Sequence, residues 1–371
     1  MSVFYIIMAS YILLLLFLIV GFYRIKPFNT LLKNPNIEFS ILIPFRNEAE
    51  NLPRLLASIL KIDYPKNLYE IIFIDDFSTD QSITLISKFI KENKFKNCCI
   101  IQNNITSTSP KKEAITLGVN KSKFKWIITT DADCILPKLW LQQYASFIIA
   151  KKPFFIAAPV LLISNKSFLN QFQQISFLSL IGSTIGSFGW QKSILCNGAN
   201  LAYQKAVFNE IGGYTENKNI ASGDDVFLLE KVKKHYPQKV SFLKSVNALV
   251  YTQAQSNLKD FVNQQIRWVS KSSKATNASI KIVGLVVLLG NLAFLITLFN
   301  ANLFYSIGIY FLIAKLVLDF ILIKLTSSFF NEKINLFSYL ISSLIYPFYS
   351  IIISLIAPLF KYNWKGRKFK K

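Results

Sequence analysis

The sequence predicts an α/β fold in which a mixed sheet is flanked by helices, with transmembrane helices at both ends of the chain. Two observations lead to this prediction. In the middle of the chain, short runs that are apolar throughout alternate with helical stretches, as in a mostly parallel sheet covered on both faces. Longer apolar runs, of the length that crosses a hydrocarbon core, stand at both ends.

The middle of the chain supplies the strands and helices of the predicted sheet. The strand candidates are Phe39–Pro44, Tyr69–Ile74, Cys99–Gln102 and Lys125–Thr130. The helical stretches between them are Glu48–Leu60, Ser82–Lys91 and Lys111–Asn120. In sheets of this kind, functional residues gather at the carboxyl ends of the strands. Asp75, Asp76 and Asp131 stand at those ends, so we expect the site there.

The N-terminal run Val3–Phe22 is predicted to be a membrane anchor, because a spanning helix needs about 20 apolar residues. Arg24, Lys26 and Lys33 follow the run, and no basic side chain precedes it. A secretory signal peptide has the opposite charge arrangement. The positive-inside rule then places the residues after Arg24 in the cytoplasm. We expect an integral protein of a bacterial inner membrane.

Three further apolar runs follow a basic, polar segment, and each is long enough to span a bilayer. They are Ile282–Phe299, Leu303–Ile323 and Leu336–Pro358. An anchor plus three spans would put the basic tail, residues 361–371, outside the cell, against the positive-inside rule. Because Pro347 interrupts the last run and Pro358 ends it, we expect that run to be re-entrant or interfacial.

These patterns divide the chain into five predicted parts. They are an N-terminal anchor (1–23), a cytoplasmic α/β domain (36–250), a juxtamembrane segment (251–280), C-terminal transmembrane helices (281–360) and a basic tail (361–371).

Composition limits the classes of function. The 371 residues include 42 Lys+Arg and 20 Asp+Glu, a formal charge of +22. This charge suits either nucleic acid or an anionic membrane surface. The sequence has no basic motif interleaved with aromatics on a recognisable RNA- or DNA-binding module, and its apolar ends favour the membrane. We therefore predict membrane lipids and no nucleic acid as partners. The four cysteines show no paired spacing, which predicts reduced thiols, and the single histidine, His235, cannot build a three-histidine zinc site.

Two acidic motifs stand out. Asp131-Ala132-Asp133 follows an apolar strand directly, and two carboxylates so spaced can face a divalent cation that bridges donor phosphates. The alternative is an exposed turn. Gly223-Asp224-Asp225 precedes the apolar helix Val226–Val232. A carboxylate there is either a helix cap or a general base that takes the proton of an acceptor hydroxyl.

Two further segments lie near the predicted membrane surface. In Gln264-Gln265-Ile266-Arg267-Trp268, Arg267 can clamp a diphosphate and Trp268 can stack on a sugar or lie at the membrane interface. The alternative is an interfacial helix with snorkelling side chains. Phe168–Trp190 either dips into the membrane and shapes an acceptor entrance, or forms a core helix and loop.

Seven segments between Phe39 and Trp268, taken in order, resemble the family 2 glycosyltransferases. The segments are ILIPFRNE, FIDDFSTD, KKEA, TTDADC, CNGANLAY, GGY followed by GDD, and QQIRW. That family comprises inverting enzymes with a GT-A, Rossmann-like fold, including cellulose, chitin and hyaluronan synthases. The tail residues Trp364-Lys365-Gly366-Arg367 also resemble a juxtamembrane segment of some membrane members.

The resemblance implies a role for each matching residue. Asp225 would be the catalytic base, and Asp131 and Asp133 would hold the metal. The nucleotide and donor residues would be Pro44, Glu48, Asp75, Asp76, Lys112, Asp131 and Arg267. The acceptor side would be formed by Asn197, Gly198, Ala199, Asp224, Gln264 and Trp268. Asp224 replaces the family's usual Glu, which puts only the local geometry in question.

The predicted activity is inverting transfer of a sugar from a nucleotide-sugar donor, a UDP-sugar by family habit, with Mn²⁺ or Mg²⁺ as cofactor. The acceptor would be a lipid-linked or glycan hydroxyl at the cytoplasmic membrane face. One alternative is a processive polysaccharide synthase, although four apolar runs are few for a channel. Another is a non-catalytic component of polymer export, against which the three carboxylates of Asp131, Asp133 and Asp225 argue.

Overall fold

The computed structural model describes residues 2–103, 109–163, 165–217, 223–273, 277–303, 307–360, 362–364 and 367–369. The helices are α1 (Ser2–Arg24), α2 (Leu52–Leu60), α3 (Ser82–Glu92), α4 (Pro110–Lys121), α5 (Trp140–Lys151), α6 (Phe168–Gly189), α7 (Lys205–Glu210), α8 (Asp224–His235), α9 (Leu258–Ser273), α10 (Ala278–Phe299), α11 (Ala301–Leu303), α12 (Ile309–Phe329) and α13 (Leu336–Ile356). The strands are β1 (Phe39–Phe45), β2 (Tyr69–Asp75), β3 (Cys98–Gln102), β4 (Trp126–Thr129), β5 (Phe155–Ala157), β6 (Val160–Leu162), β7 (Leu201–Gln204), β8 (Val240–Phe242), β9 (Val250–Thr252), β10 (Tyr362–Trp364) and β11 (Arg367–Phe369).

The central sheet is mixed, as the sequence predicts, with strand order β3-β2-β1-β4-β7-β5-β8. The first four strands in this order are parallel, and β7 runs antiparallel between β4 and β5. The strands β1, β2 and β4 are almost wholly buried, which explains why their sequences are apolar throughout. Phe45 pairs with Asp75, and Thr130 N–H donates to the Leu42 carbonyl, so Asp76 and Asp131 emerge at one edge.

The start of one predicted helix is wrong. The helix expected from Glu48 begins at Leu52, because residues 48–51 form a turn. Asn47 adopts a φ of 51°, and the Glu48 N–H donates to the Ser82 hydroxyl. This turn leaves Glu48 facing the strand ends and lets Pro53 occupy the first turn of α2, where its missing N–H costs nothing.

The segment predicted as either a membrane-dipping helix or a core helix with a loop is one continuous helix, α6. It packs against α1 through small residues that allow close backbone approach. A Cβ at Gly186 would lie 2.3 Å from the Leu18 carbonyl oxygen, and one at Gly21 would lie 2.0 Å from the Gly186 carbonyl oxygen. The helix therefore joins the α/β domain to the N-terminal apolar helix.

Within the described residues, three helices are long and apolar enough to span a membrane: α1, α10 and α13. The helix α12 is comparably long but contains Lys315, Asp319 and Lys324. Lys315 Nζ lies 2.7 Å from an Asp319 carboxylate oxygen, and the Tyr11 hydroxyl donates to the same carboxylate at 2.9 Å. Two of the three charges in α12 thus neutralise each other beside α1.

Contacts at the helix ends show how the apolar helices sit on the α/β domain. Before α10, the Asn277 N–H donates to Glu230 of α8. After α12, Glu332 accepts from the Tyr251 hydroxyl at 2.9 Å. The start of α10 and the end of α12 therefore both lie at the α/β domain.

Both ends of α13 also contact this side of the molecule. Ser338, near its start, donates to Gln171 of α6, and Ala357, just past its end, packs on Ile266 of α9. The helix is continuous through Pro347, so the expectation of a re-entrant turn is wrong. The interfacial alternative stays a prediction.

Candidate active site

Three adjoining cavities run from the strand ends towards the apolar helices. We name them the strand-end pocket, about 100 Å³, the central cleft, about 240 Å³, and the helix cavity, about 310 Å³. The strand-end pocket and the central cleft share Lys111, Asp131, Asp133 and Arg267 in their walls. The predicted site residues Pro44, Glu48 and Asp76 line the former, and Asn197, Gly198, Ala199, Asp224, Asp225, Gln264 and Trp268 line the latter.

Asp76 lies at the base of the strand-end pocket, one residue beyond β2. Its carboxylate accepts from Asn103 at 3.1 Å and from Arg367 of the C-terminal tail at 2.7 Å. Arg46 donates to the Asp76 carbonyl at 2.6 Å and so fixes the backbone beside it. Burial raises the pKa of the Asp76 carboxyl, and the charge of Arg367 opposes that rise.

Asp75, the other predicted carboxylate, has a different environment. It is buried, and one carboxylate oxygen accepts from the Ser78 N–H at 3.0 Å, which closes the turn between β2 and α3. Asp75 does not line either of the two pockets that contain its neighbour. Its side chain supports the turn that presents Asp76.

The Asp131-Ala132-Asp133 segment follows β4 and turns its two carboxylates into the shared wall. Lys111 links this segment to the start of α8: its ammonium lies 2.7 Å from Asp131 and 3.3 Å from Asp224. Burial alone would lower the pKa of Lys111, but these carboxylates and Asp225 outweigh it and raise that pKa. The amine is therefore a fixed positive charge between the acidic groups.

The structure places Lys111, and not the predicted Lys112, in the cleft. Successive residues of a helix point about 100° apart, so only one lysine of the pair can face the carboxylates. Lys112 turns into the core, where its ammonium lies 4.7 Å from the ring centroid of Phe227. Lys112 lines neither pocket, and its role in donor binding stays a prediction; Lys111 is the lysine of the pair that faces the acidic groups.

Asp225 is held at the N-terminus of α8. One carboxylate oxygen accepts from the Val226 N–H at 2.7 Å, and the other accepts from the Gly198 N–H at 3.2 Å. A Cβ at Gly198 would lie 2.9 Å from an Asp224 carboxylate oxygen, so a larger residue there would displace the Asp224 side chain. Gly223, with a φ of 86°, provides the left-handed turn that starts the helix. The carboxylate that accepts the Val226 N–H of α8 and the carboxylate that lines the central cleft are therefore the same group.

The third side of the cleft is the helix α9. Arg267 lines both the strand-end pocket and the central cleft, beside the Asp131-Ala132-Asp133 segment. Trp268 packs on Phe177 of α6, with ring centroids 6.0 Å apart, and Gln264 lies one turn earlier on the same wall. A helix with one face in the cleft explains the i, i+3, i+4 spacing of these residues.

Comparison with known proteins identifies the domain around this cleft. A family model described as "Glycosyl transferase family 2" matches residues 40–212. The chain contains a family 2 glycosyltransferase domain. The predicted resemblance to this family is thus confirmed for residues 40–212.

Two curated relatives match the family 2 domain. The poly-β-1,6-N-acetyl-D-glucosamine synthase of Staphylococcus epidermidis is 24% identical over 67% of this chain and 58% of its own length. The poly(ribitol-phosphate) β-N-acetylglucosaminyltransferase TarS of Staphylococcus aureus is 30% identical over 30% of this chain and 19% of its own length. The chain therefore spans less than two thirds of either relative.

A solved structure confirms the GT-A fold. The mannosyltransferase PcManGT from Pyrobaculum calidifontis, determined in complex with GDP-Man and Mn²⁺, superposes with a TM-score of 0.57. The match covers 92% of this chain and 99% of that one, at 13% sequence identity. Likeness at this level of identity establishes the fold.

The residues of the family 2 domain fit a hard divalent cation of the Mg²⁺ or Mn²⁺ type. No cluster of three or more His, Cys, Asp or Glu ligands exists among the described residues. Such cations need no cage of that kind, because one or two carboxylates together with substrate phosphates suffice. Asp131 and Asp133 supply two carboxylates in one wall, and Lys111 already places a positive charge against Asp131. Asp131 and Asp133 therefore offer only oxygen ligands, and phosphate oxygens of a bound diphosphate would supply further ones.

Three residues of the candidate site were not anticipated from the sequence. Arg46 stands inside the quoted segment ILIPFRNE, and Lys111 stands inside KKEA, so both could have been found by asking which side chain of each motif faces the strand ends. Arg367 could not, because 291 residues separate it from Asp76. His235, with its ring nitrogen against the Lys231 carbonyl, lines none of the three cavities.

Proposed function

We propose that this chain transfers a single sugar, with inversion, from a UDP-sugar to a hydroxyl of a lipid-linked or glycan acceptor at the cytoplasmic membrane face. The observation behind the proposal is the shared wall of Lys111, Asp131, Asp133 and Arg267, which joins the strand-end pocket to the cleft that contains Asp225. A donor lying across that wall has its diphosphate among the charges and its sugar facing the carboxylate.

The donor side follows from the chemistry of the strand-end pocket. Asp76 accepts hydrogen bonds from a base or ribose, and Glu48 lies near it in the same pocket. Asp131 and Asp133 would hold the divalent cation, which contributes charge stabilisation for the departing diphosphate. Lys111 and Arg267 add positive charge from the protein, and the planar guanidinium can donate two parallel hydrogen bonds. These charges act where negative charge grows during transfer.

Asp225 is the proposed general base. In a single in-line displacement the acceptor oxygen bonds to the anomeric carbon, the bond from that carbon to the phosphate oxygen breaks, and the diphosphate leaves with the electron pair. The acceptor proton passes to Asp225. The N–H donors of Val226 and Gly198 keep this carboxylate oriented before the proton arrives. Asp224 is tied to Lys111 and is thereby less suited to that role.

The proposed membrane arrangement has α1, α10 and α12 as crossing helices and α13 as an interfacial helix. Asn277 contacts the α/β domain just before α10 begins, and Glu332 contacts it just after α12 ends. The contacts at both ends of α13 with α6 and α9 also support the arrangement. The arrangement keeps the basic tail on the cytoplasmic side, as the positive-inside rule requires. Length and composition alone favour α13 over α12, but the Lys315–Asp319 pair lowers the cost of burying α12.

A processive polysaccharide synthase is the second candidate. One relative, which matches 67% of this chain, is named as a synthase of poly-β-1,6-N-acetyl-D-glucosamine, a polymer. Single transfer is preferred because three crossing helices are few for a polymer channel. The length of the product distinguishes the two candidates.

The decisive experiment offers a panel of UDP-, GDP- and dTDP-sugars to membranes containing the protein, and analyses lipid extracts and soluble glycans by mass spectrometry. A product one sugar heavier than its acceptor supports the proposal, and a ladder of products supports the synthase. The same assay on Asp225→Asn should show a kcat lower by about 10²- to 10⁴-fold, the range for losing a general base. Nucleotide binding should persist in this variant. Near-normal transfer by Asp225→Asn would refute the assignment of the base.

A further inference from the structure

The helix cavity lies between the apolar helices and adjoins the central cleft. It is lined by α1, α6, α9, α10, α12 and α13, and it shares six wall residues with the central cleft: Leu162, Phe177, Leu180, Leu195, Gln264 and Trp268. The space that contains Asp225 is therefore adjacent to a space between the apolar helices. At about 310 Å³, the helix cavity matches the lower end of the range for small-molecule sites, roughly 300–1,000 Å³.

The cavity wall indicates which part of a molecule fits there. Most of the wall is apolar, with short hydroxyl side chains such as Ser179, Ser342 and Ser343. Its charged members are Lys315 and Asp319, which neutralise each other at 2.7 Å. A wall in which the cation is already matched favours an uncharged occupant over a phosphate. Hydrocarbon suits it, since burying apolar surface is favourable in proportion to its area.

The neighbouring cleft indicates the other end of the same molecule. A group that needs a general base must carry a proton to lose, which a hydroxyl does. Trp268 stands between the two spaces, with its ring against Phe177, and can pack on a chain that passes from one to the other. A hydroxyl at the end of an alkyl or isoprenoid chain would thus meet Asp225 while its chain lies among the helices.

We propose that the helix cavity is the binding site for the hydrocarbon chain of an uncharged, hydroxyl-headed lipid, and that this lipid is the acceptor. The inference rests on the proposed glycosyl transfer and narrows its acceptor to a lipid. The lipid oxygen bonds to the anomeric carbon, its proton goes to Asp225, and the nucleoside diphosphate departs. Soluble glycan acceptors are thereby excluded as the main substrate.

The test uses photolabelling, which does not depend on turnover. The full chain in lipid nanodiscs is irradiated with hexadecanol bearing a mid-chain diazirine, and cross-linked peptides are mapped by mass spectrometry. We expect labelling of the cavity-facing segments around Ser179 and Ser343 that excess unlabelled hexadecanol displaces. Labelling confined to outward-facing residues of α13, or not displaced by competitor, would overturn the proposal.

Matched variants locate the site. Ser343→Phe fills the cavity from α13, whereas Leu344→Phe places the same phenyl ring at the next residue, which lies outside the cavity wall and is 49% exposed. Losing space for two methylenes should weaken displaceable labelling by about tenfold in Ser343→Phe and leave Leu344→Phe unchanged. Ser179→Phe, from the opposite wall, should repeat the loss. Equal labelling in all four proteins would count against the cavity.

Donor hydrolysis, measured in the same preparations, keeps the two proposals apart. If the wild type shows displaceable labelling but neither hydrolyses nor transfers any nucleotide sugar, the lipid-chain site stands and the glycosyl transfer fails. If sugar passes to a soluble glycan and the cavity is not labelled, the transfer stands and the lipid acceptor fails. If transfer to hexadecanol falls in Ser343→Phe while donor hydrolysis is unchanged, both are supported.

Discussion

The guanidinium of Arg367 lies 2.7 Å from a carboxylate oxygen of Asp76, although 291 residues separate the two in the chain. Arg367 begins β11, which pairs with β10 in a short antiparallel hairpin near α9. Asp76 is the carboxylate proposed to recognise the base or ribose of the donor. Arg367 therefore reaches the strand-end pocket, where the nucleotide is proposed to bind.

Replacing Arg367 should change nucleotide binding through Asp76. The Arg367 charge opposes the rise that burial causes in the Asp76 pKa, so Arg367→Ala should raise that pKa further. Binding that needs the ionised carboxylate is present above the pKa and is lost as pH falls through it. We expect the acid limb of UDP binding, measured by calorimetry in Mn²⁺ between pH 4 and 7, to move to higher pH in Arg367→Ala.

Arg367→Lys is the control for this prediction. It keeps the positive charge but loses the planar fork, so the acid limb should lie between those of the wild type and of Arg367→Ala. An acid limb at the same pH in all three proteins would mean that the tail and Asp76 are not coupled in solution.

The fold of the α/β domain could be predicted because each of its main strands carries its own signal. The apolar runs that became β1, β2 and β4 are buried on both faces, and such strands are apolar wherever they occur. The resemblance of seven ordered motifs then placed the candidate site at one edge. Element boundaries were less accurate, as at Glu48, because a positive φ at Asn47 has no strong sequence signal outside glycine.

The features that could not be predicted from the sequence depend on the direction of side chains and on contacts between distant parts of the chain. Choosing between Lys111 and Lys112 required the rotation of α4, which the weak apolar periodicity of its sequence does not fix. The contact between Arg367 and Asp76 depends on the path of the chain through the apolar helices. Pro347 in α13 suggested a turn back, yet neighbouring helices and side chains can accommodate a proline in an apolar helix.

Lys111 should affect transfer far more than Lys112. Lys111→Met removes the positive charge that lies against Asp131 and Asp224, and hydrogen bonds to charged groups are worth enough to change kcat/KM by about 10- to 100-fold. Lys112→Met keeps a similar volume beside Phe227 and should change kcat/KM by less than about threefold. Donor hydrolysis assays on both variants measure this. Equal losses would show that the register inferred for α4 is wrong.

Asp133 should be required for the effect of metal on nucleotide binding. Asp133→Ala removes one of the two carboxylates in the wall shared by the strand-end pocket and the central cleft. We expect the gain in UDP affinity that Mn²⁺ gives over EDTA to disappear, because a hard cation held by few carboxylates depends on each of them. Titration of UDP by calorimetry in both buffers tests this. A full Mn²⁺ effect in Asp133→Ala would place the metal elsewhere.

The close contact between α1 and α6 should determine the stability of the whole chain. In Gly186→Ala the new Cβ would lie 2.3 Å from the Leu18 carbonyl oxygen, and backbone on both sides prevents relief by a rotamer change. Overpacking of this kind costs about 1–3 kcal/mol, so for a chain of 371 residues the unfolding midpoint should fall by roughly 1–4 °C. Gly284→Ala on α10 is the matched control, since its Cβ would meet nothing within 4 Å. There the better helix propensity of alanine should leave the midpoint unchanged or slightly raised. Thermal unfolding of both variants in detergent, followed by fluorescence, decides the matter, and equal midpoints would mean that α1 is not packed on α6 as described.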